Sequence, residues 1–122
     1  MTYDPQVDDI VYLCPEADVS RFTYYQKYYN VTKTTLLRYE KALSILIEGN
    51  PGIVMTVSPL FRCDTETRER FANSKHYVFV SVCTNKEKGT RESIYLPEWM
   101  LSLKPHVPCM VRLATPDTTR MM

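Results

Sequence analysis

Arg21-Phe-Thr-Tyr-Tyr-Gln-Lys-Tyr-Tyr-Asn30 holds four of the nine tyrosines in this 122-residue chain: Tyr24, Tyr25, Tyr28 and Tyr29, with Lys27 between the pairs. A tyrosine is a flat apolar ring ending in a hydroxyl that both donates and accepts a hydrogen bond. Several of them beside a cation suit a stacked base or a phosphate oxygen. They also suit an ordinary core: Phe22, Tyr25 and Tyr29 stand at i, i+3 and i+7 and share one helical face. Tyr24 and Tyr28 fall on a neighbouring face. Two aromatic faces exceed what one buried stripe requires. The expectation is that Phe22 and Tyr25 face the core.

Catalytic chemistry finds little in the chain. It has no Gly-rich phosphate loop, no His-Glu-x-x-His, no Gly-x-Ser-x-Gly, and Asp8-Asp9 is its one adjacent acidic pair. Cys63, His76 and Cys83 have irregular spacing for a metal site, with two of them on one strand. His76 opens a strand and His106 sits among prolines, neither placed as a base. The reading is non-enzymatic, with no cofactor and no metal.

The net charge of +1 hides an uneven distribution. Residues 1–20 carry Asp4, Asp8, Asp9, Glu16 and Asp18 and no Lys or Arg; residues 21–41 carry five cations against Glu40. Between 62 and 91, Arg62, Arg68, Arg70, Lys75, Lys86, Lys88 and Arg91 meet four acids. Two segments can thus build a basic face, though charged segments are commonly just solvated surface. Cysteines at 14, 63, 83 and 109 form no Cys-x-x-Cys pair and read as reduced thiols. With no signal-peptide pattern and no apolar run near the ~20 residues that span a bilayer, an intracellular location (cytoplasmic or nuclear) without membrane association is expected.

The elements that must position these residues follow from patterning. Asp8 to Leu13 reads as a strand ended by Pro15. A helix capped by Asp18 or Ser20 runs to about Tyr29, with Asn30 as its stop. Thr34 to Leu46 is a second helix, although Ser44 to Ile47 has the composition to open a strand. Asn50-Pro51-Gly52 is a turn into a strand over Ile53 to Val57. Arg62 to Asn73 is polar and helix-compatible, placed like a surface insertion. His76 to Cys83 is the clearest strand; with a turn at Thr84 to Thr90 and a return over Ser93 to Leu96 it makes a β-hairpin. Pro97 starts a short element through Leu103, with Trp99 as a core anchor. The predicted fold is α+β: a small curved β-sheet or partly open barrel of about five strands with one or two packed helices, one domain over 8–114 and a flexible tail over 115–122.

Tyr24-Tyr-Gln-Lys-Tyr-Tyr-Asn30 resembles the helix of PAZ domains, the RNA 3′-end-binding modules of Argonaute, Piwi and Dicer proteins. Ile94-Tyr-Leu-Pro-Glu-Trp-Met-Leu-Ser-Leu103 is similar to that family's closing segment, Lys104-Pro-His-Val-Pro108 to the exit seen in Dicer-type members, and Cys14-Pro-Glu16 to the Pro-Glu preceding the helix in Dicer. The resemblance implies a module that binds an RNA 3′ end or overhang, or single-stranded RNA, in a small-RNA pathway. Together with the two aromatic faces, it implies that Tyr24 and Tyr29, at the family's phosphate-contacting tyrosines, point toward a shared pocket; it puts Tyr28 at a basic helix position, so Lys27 would have to supply that charge. Tyr95 is a further pocket candidate, and Lys86, Lys88 and Arg91 would track the backbone. Two departures stand out. The family's opening strands precede the helix by several tens of residues, whereas here only a short stretch does. And 64 residues separate Asn30 from Tyr95, nearer to the enlarged Dicer form. The chain would then be a fragment, or strands within 43–84 would rebuild the sheet. A reading from another class is a protein-interaction or assembly subunit whose exposed tyrosines and methionines meet a partner.

Overall fold

A computed structural model describes residues 3–71 and 74–105. The expected tail, His106 and Cys109 lie outside the described residues. Among those described, helix α1 covers Val19–Tyr28, α2 Lys33–Ile47 and α3 Thr65–Arg70; the strands are β1 Ile10–Leu13, β2 Gly52–Pro59, β3 His76–Asn85, β4 Thr90–Pro97 and β5 Leu101–Ser102. They form an open antiparallel sheet in the order β4-β3-β2-β1-β5. The fold is α+β, as expected, with a third, short helix inside the charged stretch after Arg62.

Local chemistry sets the helix boundaries. The Asp18 carboxylate accepts from the Arg21 amide at 2.9 Å and so caps α1. Asn30 stops it in the left-handed region (φ 59°), where Asn is tolerated and the last carbonyls find donors: Val31 N–H reaches Gln26 O at 3.0 Å. In α2, Tyr39, Ala42, Leu43 and Leu46 form the buried stripe, and that stripe carries the helix through Ser44 to Ile47. Gly49, at φ 98°, then closes it by donating to Leu46 O at 3.0 Å. Asp64 caps α3 through the Thr67 amide at 2.8 Å. The Thr67 side chain, followed by that amide, holds its carboxyl below the usual range.

β1 divides its pairing. Ile10 and Val11 match Ile53 and Gly52 of β2, while Tyr12 and Leu13 match Ser102 and Leu101 of β5. Gly52 is required where it stands, because a Cβ there would lie 2.5 Å from Val80 Cγ1. An irregularity between Val54 and Thr56 adds one residue to β2 and increases the local twist. Val54, Val78, Val80, Val82, Ile94 and Leu96 are sealed, and the register places them on one face. With Phe22, the α2 stripe, Leu60 and Phe71 they make one core. Trp99 packs against it and donates to Phe71 O at 3.3 Å. Tyr77, Phe79 and Ser81 alternate onto the other face, opposite Pro97, Tyr95 and Ser93. No described helix is long and apolar enough to cross a membrane.

Candidate nucleic-acid interface

Helix α1 buries Phe22 and Gln26. That corrects the expected stripe, since Tyr25 is only half-buried and the position it was assigned against the core is taken by a glutamine. Gln26 tolerates burial because its Nε2 donates to Arg70 O at 2.9 Å and Phe22 O at 3.2 Å. The tyrosines then lie outward as a ladder. Tyr24 stacks on Tyr28 (centroids 6.0 Å, 26°), and Tyr25 and Tyr29 meet the two ends edge-on at 5.8 and 4.9 Å. Arg21 sits 5.8 Å from the Tyr25 ring. Tyr24 and Tyr28 are about 60% exposed, and Lys27 is exposed beside them.

None of the described clefts is lined by Tyr24 or Tyr29. Tyr29 turns instead to α3, where its hydroxyl donates to the Glu69 carboxylate. That hydrogen bond, then burial, pushes the phenol up to about 12. An acid at this end disfavours phosphate, so the oxygen contact assigned to Tyr29 gives way to a helix–helix clasp. The protonated phenol is the partner, so the stability it supplies is complete below the ordinary tyrosine value of ~10 and is lost as pH rises through about 12. Followed by the Tyr29 13Cζ shift, the midpoint should fall toward the ordinary value in Glu69→Gln. An unmoved midpoint would remove Glu69 as the cause.

Tyr95 lies elsewhere, in an aromatic strip that periodicity alone did not reveal. Phe71 stacks on Tyr77 at 5.7 Å, Tyr77 meets Tyr95 at 4.9 Å, and Tyr95 meets Phe79 at 4.5 Å. The signal was present in part: Tyr77 and Phe79 are two residues apart on a strand. Their match to Tyr95 depends on hairpin register. Tyr95 is 37% exposed and stands between two clefts. One, about 360 Å³, is lined by Asp64, Thr67, Arg70, Phe71 and Tyr77; the other, about 240 Å³, by Arg38, Tyr39 and Phe79. Burial, followed by the Cys63 side chain, raises the Tyr77 phenol. Arg38 is engaged with Glu92 at 2.7 Å and with Ser93 O at 2.7 Å. Arg70 is less committed. Its guanidinium lies 5.4 Å from the Phe71 ring and 3.5 Å from Gln26 Oε1, and its buried Nε has no partner among the described residues. A buried donor left unpaired costs about 1–3 kcal/mol.

The hairpin cations form a third group. Lys86 and Lys88 are exposed in the turn, where Asn85 Oδ1 accepts from the Glu87 and Lys88 amides at 3.0 Å each. Tyr95 stands opposite Phe79 and Thr90 opposite Asn85, so five residues at ~3.4 Å each put the turn ~17 Å from Tyr95. Arg91 is held by Ser81, through Nε to Oγ at 2.7 Å and Nη2 to O at 3.0 Å. The eight residues singled out in the sequence therefore occupy three places: a ladder, an aromatic strip and a basic hairpin end.

A buried acid went unrecognised in the sequence. Glu98, 3% exposed, accepts from the Lys75 amide at 2.7 Å and from the His76 amide and Nδ1 at 2.8 Å each. Cys14, Cys63 and Cys83 are unpaired, and among the described residues no three His, Cys, Asp or Glu side chains group to hold a metal. No family model matches the chain, and neither a curated protein nor a solved structure is significantly similar to it.

Proposed function

We propose that this chain is a non-catalytic, PAZ-like RNA-binding module that takes a single-stranded 3′ end or overhang, working inside the cell with a small-RNA complex. The observation that carries the reading is the Tyr77–Tyr95–Phe79 strip, backed by the buried Phe71, with Arg70 in the cleft beside it. Ring faces stack bases regardless of sequence, and a guanidinium with spare donors pairs with a phosphate. The cleft volume is that of a small-ligand pocket, which suits one terminal nucleotide better than a long track. Preference for an end is supported by the resemblance at Tyr24–Asn30 and Ile94–Leu103. Lys27 with Tyr24 and Tyr28 offers a second stacking surface, and Lys86 and Lys88 add long-range attraction.

Fluorescence anisotropy with overhang and blunt RNA duplexes at two salt concentrations tests this. Overhang RNA should bind more tightly, at micromolar order. Stacking on one aromatic contributes ~1–3 kcal/mol, so Tyr95→Ala should weaken binding about tenfold or more. Tyr24→Ala should have a smaller effect, and Lys86→Ala with Lys88→Ala should flatten the salt dependence. One observation favours the protein-interaction reading: Tyr24, Tyr28 and Phe61 are at least 61% exposed, and aromatic side chains of this kind are enriched in interfaces. Equal, undetectable binding of both duplexes would decide for that reading.

A further inference from the structure

Another cleft has no aromatic ring in its lining and is not the one at Tyr95. It measures about 520 Å³ and lies where the end of α2, the β1–β2 pair and the base of the β3–β4 hairpin meet. Three aliphatic side chains from three elements line it: Ile45 of α2, Ile10 of β1 and its cross-strand partner Ile53 of β2. Ile10 stays 47% exposed, a large apolar surface presented to an open cavity. The same cleft carries Lys86 and Arg91 against one carboxylate, Glu48.

Arg91 is both fixed and unneutralised. Its two hydrogen bonds go to the hydroxyl and carbonyl of Ser81, which hold the fork in place and carry no charge. A guanidinium has five donors; less those two, three are left. Neither Arg91 nor Lys86 forms an ion pair with a described carboxylate, whereas Arg38 does. A fixed, unneutralised guanidinium beside a lysine favours an anionic head that can accept two parallel bonds. The isoleucines favour an aliphatic body, and without a ring in the lining nothing here stacks a base.

We infer that this cleft binds a small amphiphilic anion, a carboxylate or phosphate on an aliphatic chain, with its head on Arg91 and Lys86 and its chain against Ile10, Ile45 and Ile53. Cys83 lines the same cleft and supplies a reporter, while Cys14 and Cys63 lie outside it as internal controls. The probes are octanoate, octyl phosphate and octylammonium, each below its micellar concentration. Iodoacetamide alkylation of these three of the chain's four thiols is read by peptide mass spectrometry. Octanoate or octyl phosphate should slow alkylation of Cys83 at least fivefold, saturably, with Cys63 and Cys14 unaffected; octylammonium should not. Protection by one head group alone keeps the inference and names the head. Arg91→Met should weaken the protecting anion about tenfold or more. Lys86→Ala, in an exposed turn that tolerates it, should weaken it severalfold even if Arg91→Met impairs folding. Equal protection by octylammonium and octanoate, or no saturable protection by either anion, would overturn the site.

Discussion

Phe22→Ala is expected to destabilise the protein by about 3–5 kcal/mol, the usual cost of emptying a buried phenylalanine site. Phe22 is 1% exposed, meets Tyr39 edge-on at 5.3 Å and lies 6.1 Å from Phe71. It is where α1, α2 and the end of α3 come together, and none of its neighbours can close the gap without moving a helix. Against a total stability of roughly 5–15 kcal/mol this is a large loss, visible as a lower urea midpoint at unchanged slope. Tyr24→Ala, two residues along on the exposed face, should stay within about 0.5 kcal/mol. Comparable losses from the two substitutions would mean that α1 is rotated from the orientation described.

That contrast marks what the α1 sequence discloses and what it withholds. Its ends were legible because caps are local: Asp18 reaches an amide three residues on, and Asn30 adopts a left-handed turn that few other residues accept. Its facing was not legible. A helix with aromatics on two sides has no unambiguous apolar stripe, and the residue that joins Phe22 in the interior is Gln26, which hydropathy scores as surface. Gln26 is buried because the Arg70 carbonyl, 44 residues away, accepts its proton. The same limit applies at Ser44 to Ile47, where β-branched residues suggest a strand and the α2 stripe toward the core overrides them. β5, only two residues long, carries too little pattern to be read at all.

Of the candidate site, the residue types were legible and their grouping was not. The resemblance singles out Tyr95, but nothing in the sequence joins it to Tyr77 and Phe79, two residues apart on the clearest strand. Only the hairpin register, with its irregularity between Cys83 and Asn85, sets Tyr95 opposite Phe79. Tyr29 shows the converse. The resemblance assigns it to a pocket, and α3 claims its hydroxyl through Glu69, a charged residue in a stretch that reads as a surface insertion. A contact between two side chains 40 positions apart leaves no periodic trace.

Glu98→Ala should rank with the most damaging single changes on the polar side of the molecule, at about 3 kcal/mol. The carboxylate accepts two backbone amides and the His76 ring across 22 and 23 residues of sequence. Its loss leaves those donors partly buried without an acceptor, at about 1–3 kcal/mol each. Pro97 delivers the glutamate to this position: it ends β4 opposite Tyr77 with φ −73° and leads directly into the turn at Glu98–Met100. The Leu-Pro-Glu string thus has a structural reason independent of any ligand, since it ties the end of β4 to the start of β3. The order of effects is more diagnostic than their size. Glu98→Met preserves volume but offers no comparable acceptor and should be about as harmful as alanine. Glu98→Gln keeps one acceptor and should fall between it and wild type. His76→Ala removes one of three bonds and leaves the carboxylate held by two amides, so it should be the mildest. If Glu98→Met proved neutral in urea denaturation, packing rather than hydrogen bonding would hold this junction, and the carboxylate would be free for another role.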